Sequence, residues 1–262
     1  MKLSLEKKRK RLQTLAWAVA QKGPVHLKDA ARLLDVSEMT VRRDLVDTDA
    51  DLAYLGGYIV AADAVTANVN YNFRKEADRQ AVQKEQACLE AIKLIEEDDV
   101  LFIDCGTTTP YLARLIPNDK RLTVVCYSLN IADILSRKNN VRLVLLGGYY
   151  HAASATFSSD EALKSLGKIH IGKAFITAGG IHMEKGISCS HFHEVTIKQA
   201  AITNALKKYV IVDSSKFGKV KLAHFADLKS FEAVITDPGI SAGNAQEIKR
   251  LGSKVLCGPP IR

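Results

Sequence analysis

The sequence predicts an α/β protein in two parts: an N-terminal winged helix-turn-helix domain and a larger, mostly parallel α/β domain. Three observations lead there. Residues 1–45 read as three short helical patterns separated by turn signals. Beyond residue 85, near-continuous apolar runs of β type alternate with helical runs, as in a parallel sheet covered on both faces. The net charge of +8 is uneven: residues 1–45 carry 11 Lys/Arg against 5 Asp/Glu, whereas residues 46–262 carry 26 against 24.

The chain of 262 residues has room for one small and one medium domain, and its 47% apolar and 25% charged content is ordinary for a globular protein. No apolar run approaches the roughly 18 residues that a membrane-spanning helix needs. The charged stretch Glu6 to Arg11 is followed by no apolar h-region, so no signal peptide, no membrane partner and a cytoplasmic protein are expected. Five cysteines (Cys88, Cys105, Cys126, Cys189, Cys257) are odd in number and widely spaced, without metal-ligand spacing. They read as buried free thiols, and neither metal nor cofactor is expected. The basic N-terminal segment suits an anionic polymer.

Helical spacing begins near Leu5, with Leu12, Leu15, Ala16 and Val19 on one stripe, and Lys22-Gly23-Pro24 stops it. A second helix reads from Leu27 to Leu34, with Ala30, Ala31 and Leu34 inward. Asp35-Val36 makes a tight turn, and Ser37 is an N-cap because its hydroxyl accepts from the free N–H groups of the next turn. A third helix runs from Glu38 to about Val46. Two short helices across a short turn make a helix-turn-helix. In the third, Val41 and Leu45 pack inward, while Met39, Thr40 and Arg43 point away and Arg42 sits on the flank. That geometry predicts a DNA-reading surface of Ser37, Met39, Thr40, Arg42 and Arg43, placed in the major groove of double-stranded operator DNA. Lys7, Lys8, Arg9, Lys10 and Arg11 suit phosphates, which position the protein without specifying sequence. Leu52 to Val60 reads as two strands around Gly56-Gly57, a hairpin that serves as the wing. The domains are therefore 1–60 for the winged head, 61–84 for a linker and 85–262 for the larger domain.

In the larger domain a helix is expected over Lys84–Glu96. The expected strands are Val100–Asp104, Leu122–Tyr127, Val141–Leu146, Lys173–Thr177, Tyr209–Asp213, Ala233–Thr236 and Lys254–Leu256. Ligands of open α/β sheets bind beyond the carboxyl ends of the strands. Asp104-Cys-Gly106-Thr107-Thr108-Thr109-Pro110 lies there, with Thr109 the expected N-cap and Pro110 the first helical residue. Gly106 permits close approach, and hydroxyls and free N–H groups favour an anion such as phosphate. Ser128, Asn130, Gly147-Gly148 and Lys216 end neighbouring strands. Each alone is also an ordinary turn or surface residue; their convergence favours a sugar-phosphate site.

These runs carry a family resemblance. Leu27-Lys-Asp-Ala-Ala31 and Val36-Ser-Glu-Met-Thr-Val-Arg-Arg-Asp-Leu45 resemble the head of the DeoR family of bacterial repressors. Leu55-Gly-Gly-Tyr-Ile-Val60, Asp104 to Pro110, Cys126-Tyr-Ser-Leu-Asn130 and Ser215-Lys-Phe-Gly-Lys-Val220 look most like its regulators of deoxyribonucleoside catabolism. The resemblance implies an effector domain similar in fold to ribose-5-phosphate isomerase that binds phosphorylated sugars without turning them over. It also implies assembly into a homo-oligomer through that domain. The inducer implied is deoxyribose 5-phosphate, on Asp104, Gly106, Thr107, Thr108, Thr109, Ser128, Asn130 and Lys216. One departure is His191-Phe-His-Glu194-Val, where the family reads like Leu-Glu-Glu-Ala, so Glu194 and Lys198 carry over weakly. An isomerase is the alternative reading. That chemistry needs a positioned carboxylate base, and the stretch matching the isomerase's acidic run, Thr177-Ala-Gly-Gly-Ile-His182, holds none. A regulator and not an enzyme is expected.

Overall fold

The computed structural model describes residues 2–22, 25–46, 52–55, 58–61 and 79–260. The chain divides into two compact units, Met1–Tyr71 and Asn72–Arg262. Most of the linker expected over 61–84, residues 62–78, lies outside the described residues.

The first unit holds α1 (Lys2–Lys22), β1 (Val25–His26), α2 (Leu27–Leu34), α3 (Glu38–Val46), β2 (Leu52–Leu55) and β3 (Tyr58–Ala61). The expected bounds of α2 and α3 match, because both ends of α2 and the start of α3 are marked locally. His26 Nδ1 accepts from Lys28 N at the start of α2, and Asp35 takes the left-handed conformation (φ 51°) that closes it. The Ser37 hydroxyl accepts from Thr40 N at 3.2 Å, as an N-cap should. Helix α1 starts earlier than Leu5 and buries Ala18 where Ala16 was expected; Ala16 is exposed. The apolar stripe turns toward Leu15, Ala18 and Val19, of which Leu15 and Val19 join the core shared with α2 and the wing. Strands β2 and β3 pair antiparallel as the wing, while the Gly56-Gly57 turn lies outside the described residues. β1 adds to β3 through Val25 opposite Ile59, giving the order β1-β3-β2. Two residues are too few to show an alternation, so the sequence gives β1 no signal. The core joins Leu12, Leu15, Val19, Leu27, Ala30, Ala31, Val41, Leu52 and Ile59. Fully burying one such aliphatic side chain contributes about 1.5–3 kcal/mol.

The second unit is built on a seven-stranded sheet with every neighbour parallel. Its elements begin with α4 (Ala81–Ala91), β4 (Val100–Ile103), α5 (Thr109–Leu115), β5 (Leu122–Cys126), α6 (Leu129–Leu135) and β6 (Val141–Leu145). After β7 (Tyr149–His151), β8 (Thr156–Ser158) and α7 (Asp160–Leu166) come β9 (Ile171–Thr177), β10 (Gly180–His182), β11 (Gly186–Cys189) and α8 (Val195–Asn204). β12 (Ala205–Ile211), β13 (Ala223–Ala226), β14 (Ala233–Thr236), α9 (Ala242–Arg250) and β15 (Lys254–Cys257) complete it. The sheet order is β15-β14-β12-β9-β4-β5-β6. All seven expected strands are present. Helix α4 starts within the expected linker and ends at Ala91, where a tight 3-10 turn, Ile92–Leu94, replaces the expected last turn. Two antiparallel additions were not expected, the hairpin β7–β8 and the sheet β10-β11-β13. Their strands are three or four residues long, below the length at which alternation shows.

From β4 the chain winds outward through β5 and β6, then returns to place β9 on β4's other side. The carboxyl ends of β4 and β9 therefore flank the topological switch point, where such sheets open a crevice. Asp104 follows β4, and Thr177 ends β9.

Candidate functional site: a DNA-reading helix and a buried polar cluster

In the head, α3 turns Val41 (0% exposed) and Asp44 (4%) inward and leaves Met39 (74%) outward. Arg42 and Arg43 are exposed, and Thr40 is half-buried. Ser37 is exposed, and its hydroxyl also meets the Thr40 hydroxyl at 2.9 Å. The predicted reading residues thus share the outer side of one capped helix. The Arg42 guanidinium stands 5.0 Å from the centre of the Tyr54 ring on β2. Lys8 is half-buried and Arg9 exposed on α1. Arg11 departs from its expected phosphate role: its Nε binds Asp44 Oδ2 at 2.6 Å. A buried carboxylate on α3 needs a counter-charge, and α1 supplies it.

In the second unit, Asp104 follows β4 at the carboxyl edge of the sheet with no exposure. Tyr127 Oη donates to its Oδ1 at 2.8 Å; Thr177 N and Oγ1 donate to Oδ2 at 2.8 and 3.2 Å. The Lys198 ammonium binds the same Oδ2. The Asp104 carboxylate is thus taken up inside the protein and braces the loop. Glu194 Oε2 lies 3.8 Å from Lys198 Nζ, one turn earlier on the same stretch. Burial raises the Glu194 carboxyl to about 7, against the pull of Lys198. Burial works against the Lys198 ammonium, but Asp104 and its neighbours outweigh it and hold the proton on. A carboxyl of that strength beside an ammonium can hydrogen-bond a sugar hydroxyl or exchange a proton near neutrality.

Gly106 follows with φ 102°, and a Cβ there would come 2.9 Å from Thr177 Oγ1, so glycine alone fits without a shift. The N–H groups of Gly106, Thr107 and Thr108 meet no acceptor among the described residues. The cap of α5 is Thr108, one residue before the expected Thr109, and the Thr109 hydroxyl donates to Cys105 O at 3.0 Å. Thr109 therefore closes the loop on itself, whereas Thr107 and Thr108 keep their hydroxyls. Asn130 Nδ2 donates to Gly106 O at 3.2 Å and ties the start of α6 to the loop. Ser128 Oγ and Asn130 Oδ1 are buried with no partner among the described residues. The structure thus joins Asp104, Gly106 to Thr109, Ser128 and Asn130 directly. Lys216 ends the 3-10 turn Ser214–Lys216 that follows β12, two strands from β4, with its Nζ 3.9 Å from Asp213 Oδ2.

Several groups escaped the sequence reading. Tyr127, Thr177 and Cys105 surround Asp104, and Lys84 on α4 is fully buried. A lysine between Gln83 and Glu85 reads as a surface residue, so its burial has no local signal. His193, from the unusual His191-Phe-His stretch, stacks on His151 (3.7 Å between centres, 6° between planes) and bonds Ser154 Oγ at 2.9 Å. Burial holds that imidazole neutral down to about 3. All five cysteines are free; Cys257 is exposed where burial was expected. No helix among the described residues is long and apolar enough to cross a membrane.

Comparison with known proteins bears on both units. Residues 11–61 match the DeoR-like helix-turn-helix domain, and residues 79–238 match the DeoR C terminal sensor domain. The chain is 39% identical over 231 residues to the deoxyribose operon repressor of Escherichia coli K12, covering 88% of this chain and 91% of that protein. It is 30% identical over 238 residues to the lactose phosphotransferase system repressor of Streptococcus mutans, covering 88% and 92%. Among solved structures it is similar to a D-ribose-5-phosphate isomerase complexed with phospho-erythronic acid (TM-score 0.38, 19% identity, 51% and 52% covered). It is also similar to eIF2B beta from Chaetomium thermophilum (TM-score 0.45, 12% identity, 66% and 53% covered). The head and the sensor unit match the two domains of a single family, and the chain belongs to the DeoR family of helix-turn-helix transcriptional repressors.

Proposed function

We propose that this repressor controls a deoxyribonucleoside-catabolic operon in the cytoplasm and leaves its operator when deoxyribose 5-phosphate binds the crevice beyond β4, β5 and β9. The observation that carries the reading is the pair of buried, unpartnered oxygens, Ser128 Oγ and Asn130 Oδ1, beside the Gly106–Thr108 amides. A buried polar atom without a partner costs about 1–3 kcal/mol, which a bound ligand returns. The amides and the hydroxyls of Thr107 and Thr108 receive the phosphate, and Lys216 adds a cation from β12. Glu194 and Lys198 meet the sugar hydroxyls. A relative that is 39% identical over 88% of the chain is named for deoxyribose, which supports that sugar. Ser37, Met39, Thr40, Arg42 and Arg43 read the bases, and Lys8 and Arg9 hold phosphates. One head covers a short half-site, so a homo-oligomer on repeated half-sites gives useful specificity.

Thermal unfolding against a panel of pentose and hexose phosphates tests the ligand. Deoxyribose 5-phosphate raises the sensor midpoint most, and unphosphorylated deoxyribose does little. Equal shifts with every phosphate, inorganic phosphate included, contradict the sugar assignment. A second reading, sugar-phosphate isomerisation, draws on the Glu194 carboxyl near 7 beside Lys198. Deoxyribose 5-phosphate has no C2 hydroxyl and cannot become a ketose, so that reading requires another pentose. Formation of ribulose 5-phosphate from ribose 5-phosphate would establish it, and none is expected.

A further inference from the structure

The two adjacent arginines of α3 are not equivalent. Arg42 lies over the Tyr54 ring of β2 at 5.0 Å. Arg43 meets no ring or carboxylate among the described residues. No ion pair joins Arg42 to Glu38, one turn earlier on its helix, among the described residues, and Asp44 is buried against Arg11. Tyr54 itself is exposed, so its ring is available as a platform and is not committed to the head's core.

We infer that Tyr54 is a positioning residue for DNA recognition, holding the Arg42 guanidinium on the wing side of α3 before DNA arrives. The inference rests on the reading that α3 enters the major groove. A guanidinium stacked on a ring keeps its edge N–H groups free, so it can still donate two parallel bonds to a phosphate or a guanine. An arginine otherwise loses rotamer freedom when it docks; one already seated loses less. The two arginines then divide the work. Arg42 is preset at the junction of helix and wing, while Arg43 orders only against its base.

The test uses the full-length protein and the DNA site that it selects from a random library, with scrambled DNA as control. An exposed cation–π contact corresponds to about a two- to fivefold change in affinity. Tyr54→Leu should weaken binding to the selected site by about that factor, leaving scrambled DNA less affected. Tyr54→Phe keeps the ring and should bind as wild type does. In an Arg42→Ala background, Tyr54→Leu should add no further loss. Equal losses in Tyr54→Phe and Tyr54→Leu overturn the inference, because the hydroxyl would then be touching DNA itself. Additive losses in the double variant also overturn it, because Tyr54 would then act through the fold of the wing. Wild-type binding by Arg42→Ala would instead remove Arg42 from the reading surface.

Discussion

The head exposes its functional groups, whereas the sensor unit buries its own. In the head, the reading residues are outward, and among the described residues the interior is apolar apart from Asp44, which pairs with Arg11. In the sensor, the candidate groups are inward: Asp104, Thr107, Thr108, Ser128, Glu194 and Lys198 are all buried at the sheet's carboxyl edge. DNA is a rigid polyanion met from outside, so its reader needs exposed cations. A small effector must be taken out of water, and its site therefore carries polar groups into the core at a cost in stability.

The largest expected effect breaks the sensor's interior. Lys198→Met leaves Asp104 buried without its cation, and loss of one partner of a buried pair costs about 3–5 kcal/mol. The chain's single tryptophan, Trp17, is in the head and 64% exposed. Its fluorescence follows the head, whereas far-ultraviolet circular dichroism is dominated by the larger sensor. Denaturation should show a fall of that size in the sensor transition and an unchanged Trp17 transition. A matching shift in the Trp17 signal would mean that the two units do not divide as described.

A surface group of the head should behave in the opposite way. Arg43→Ala removes no buried contact, so the head's stability should stay within about 0.5 kcal/mol of wild type. Operator affinity should fall by about 1–3 kcal/mol, with base preference relaxed. Undiminished discrimination between operator and random DNA would move the recognition surface off this helix.

What the sequence shows follows the same division. The bounds of α2 and α3 rest on His26, Asp35 and Ser37, each within a few residues of the end that it marks. In the seven-stranded sheet the apolar runs announce the strands, but β12 begins four residues before its run, because Lys207 and Lys208 interrupt the pattern. The Asp104–Lys198 contact spans 94 positions, and Arg11–Asp44 spans 33. No local pattern records such pairs, and they decide that Asp104 braces the loop and that Arg11 is paired with Asp44. The same holds for Lys84 and for the His151–His193 stack, which topology creates from separate elements.

The smallest expected effect is also the sharpest between fold and function. Ser128→Ala removes a buried hydroxyl that has no protein partner among the described residues. The free protein should be unchanged or more stable by up to about 1 kcal/mol, since an unsatisfied polar group is lost. Stabilisation by deoxyribose 5-phosphate should nonetheless shrink. A destabilised free protein would mean that the hydroxyl serves the fold and not the ligand.

An inducer works only by binding the released state better than the DNA-bound state. The most direct measurement is therefore operator binding across a titration of deoxyribose 5-phosphate, for wild type and for Lys216→Ala. The account predicts release of the wild type by the phosphorylated sugar and not by deoxyribose. It also predicts that Lys216→Ala binds operator normally and requires more effector, by about 1–3 kcal/mol in affinity. Operator binding that no sugar phosphate alters would contradict the account at its centre.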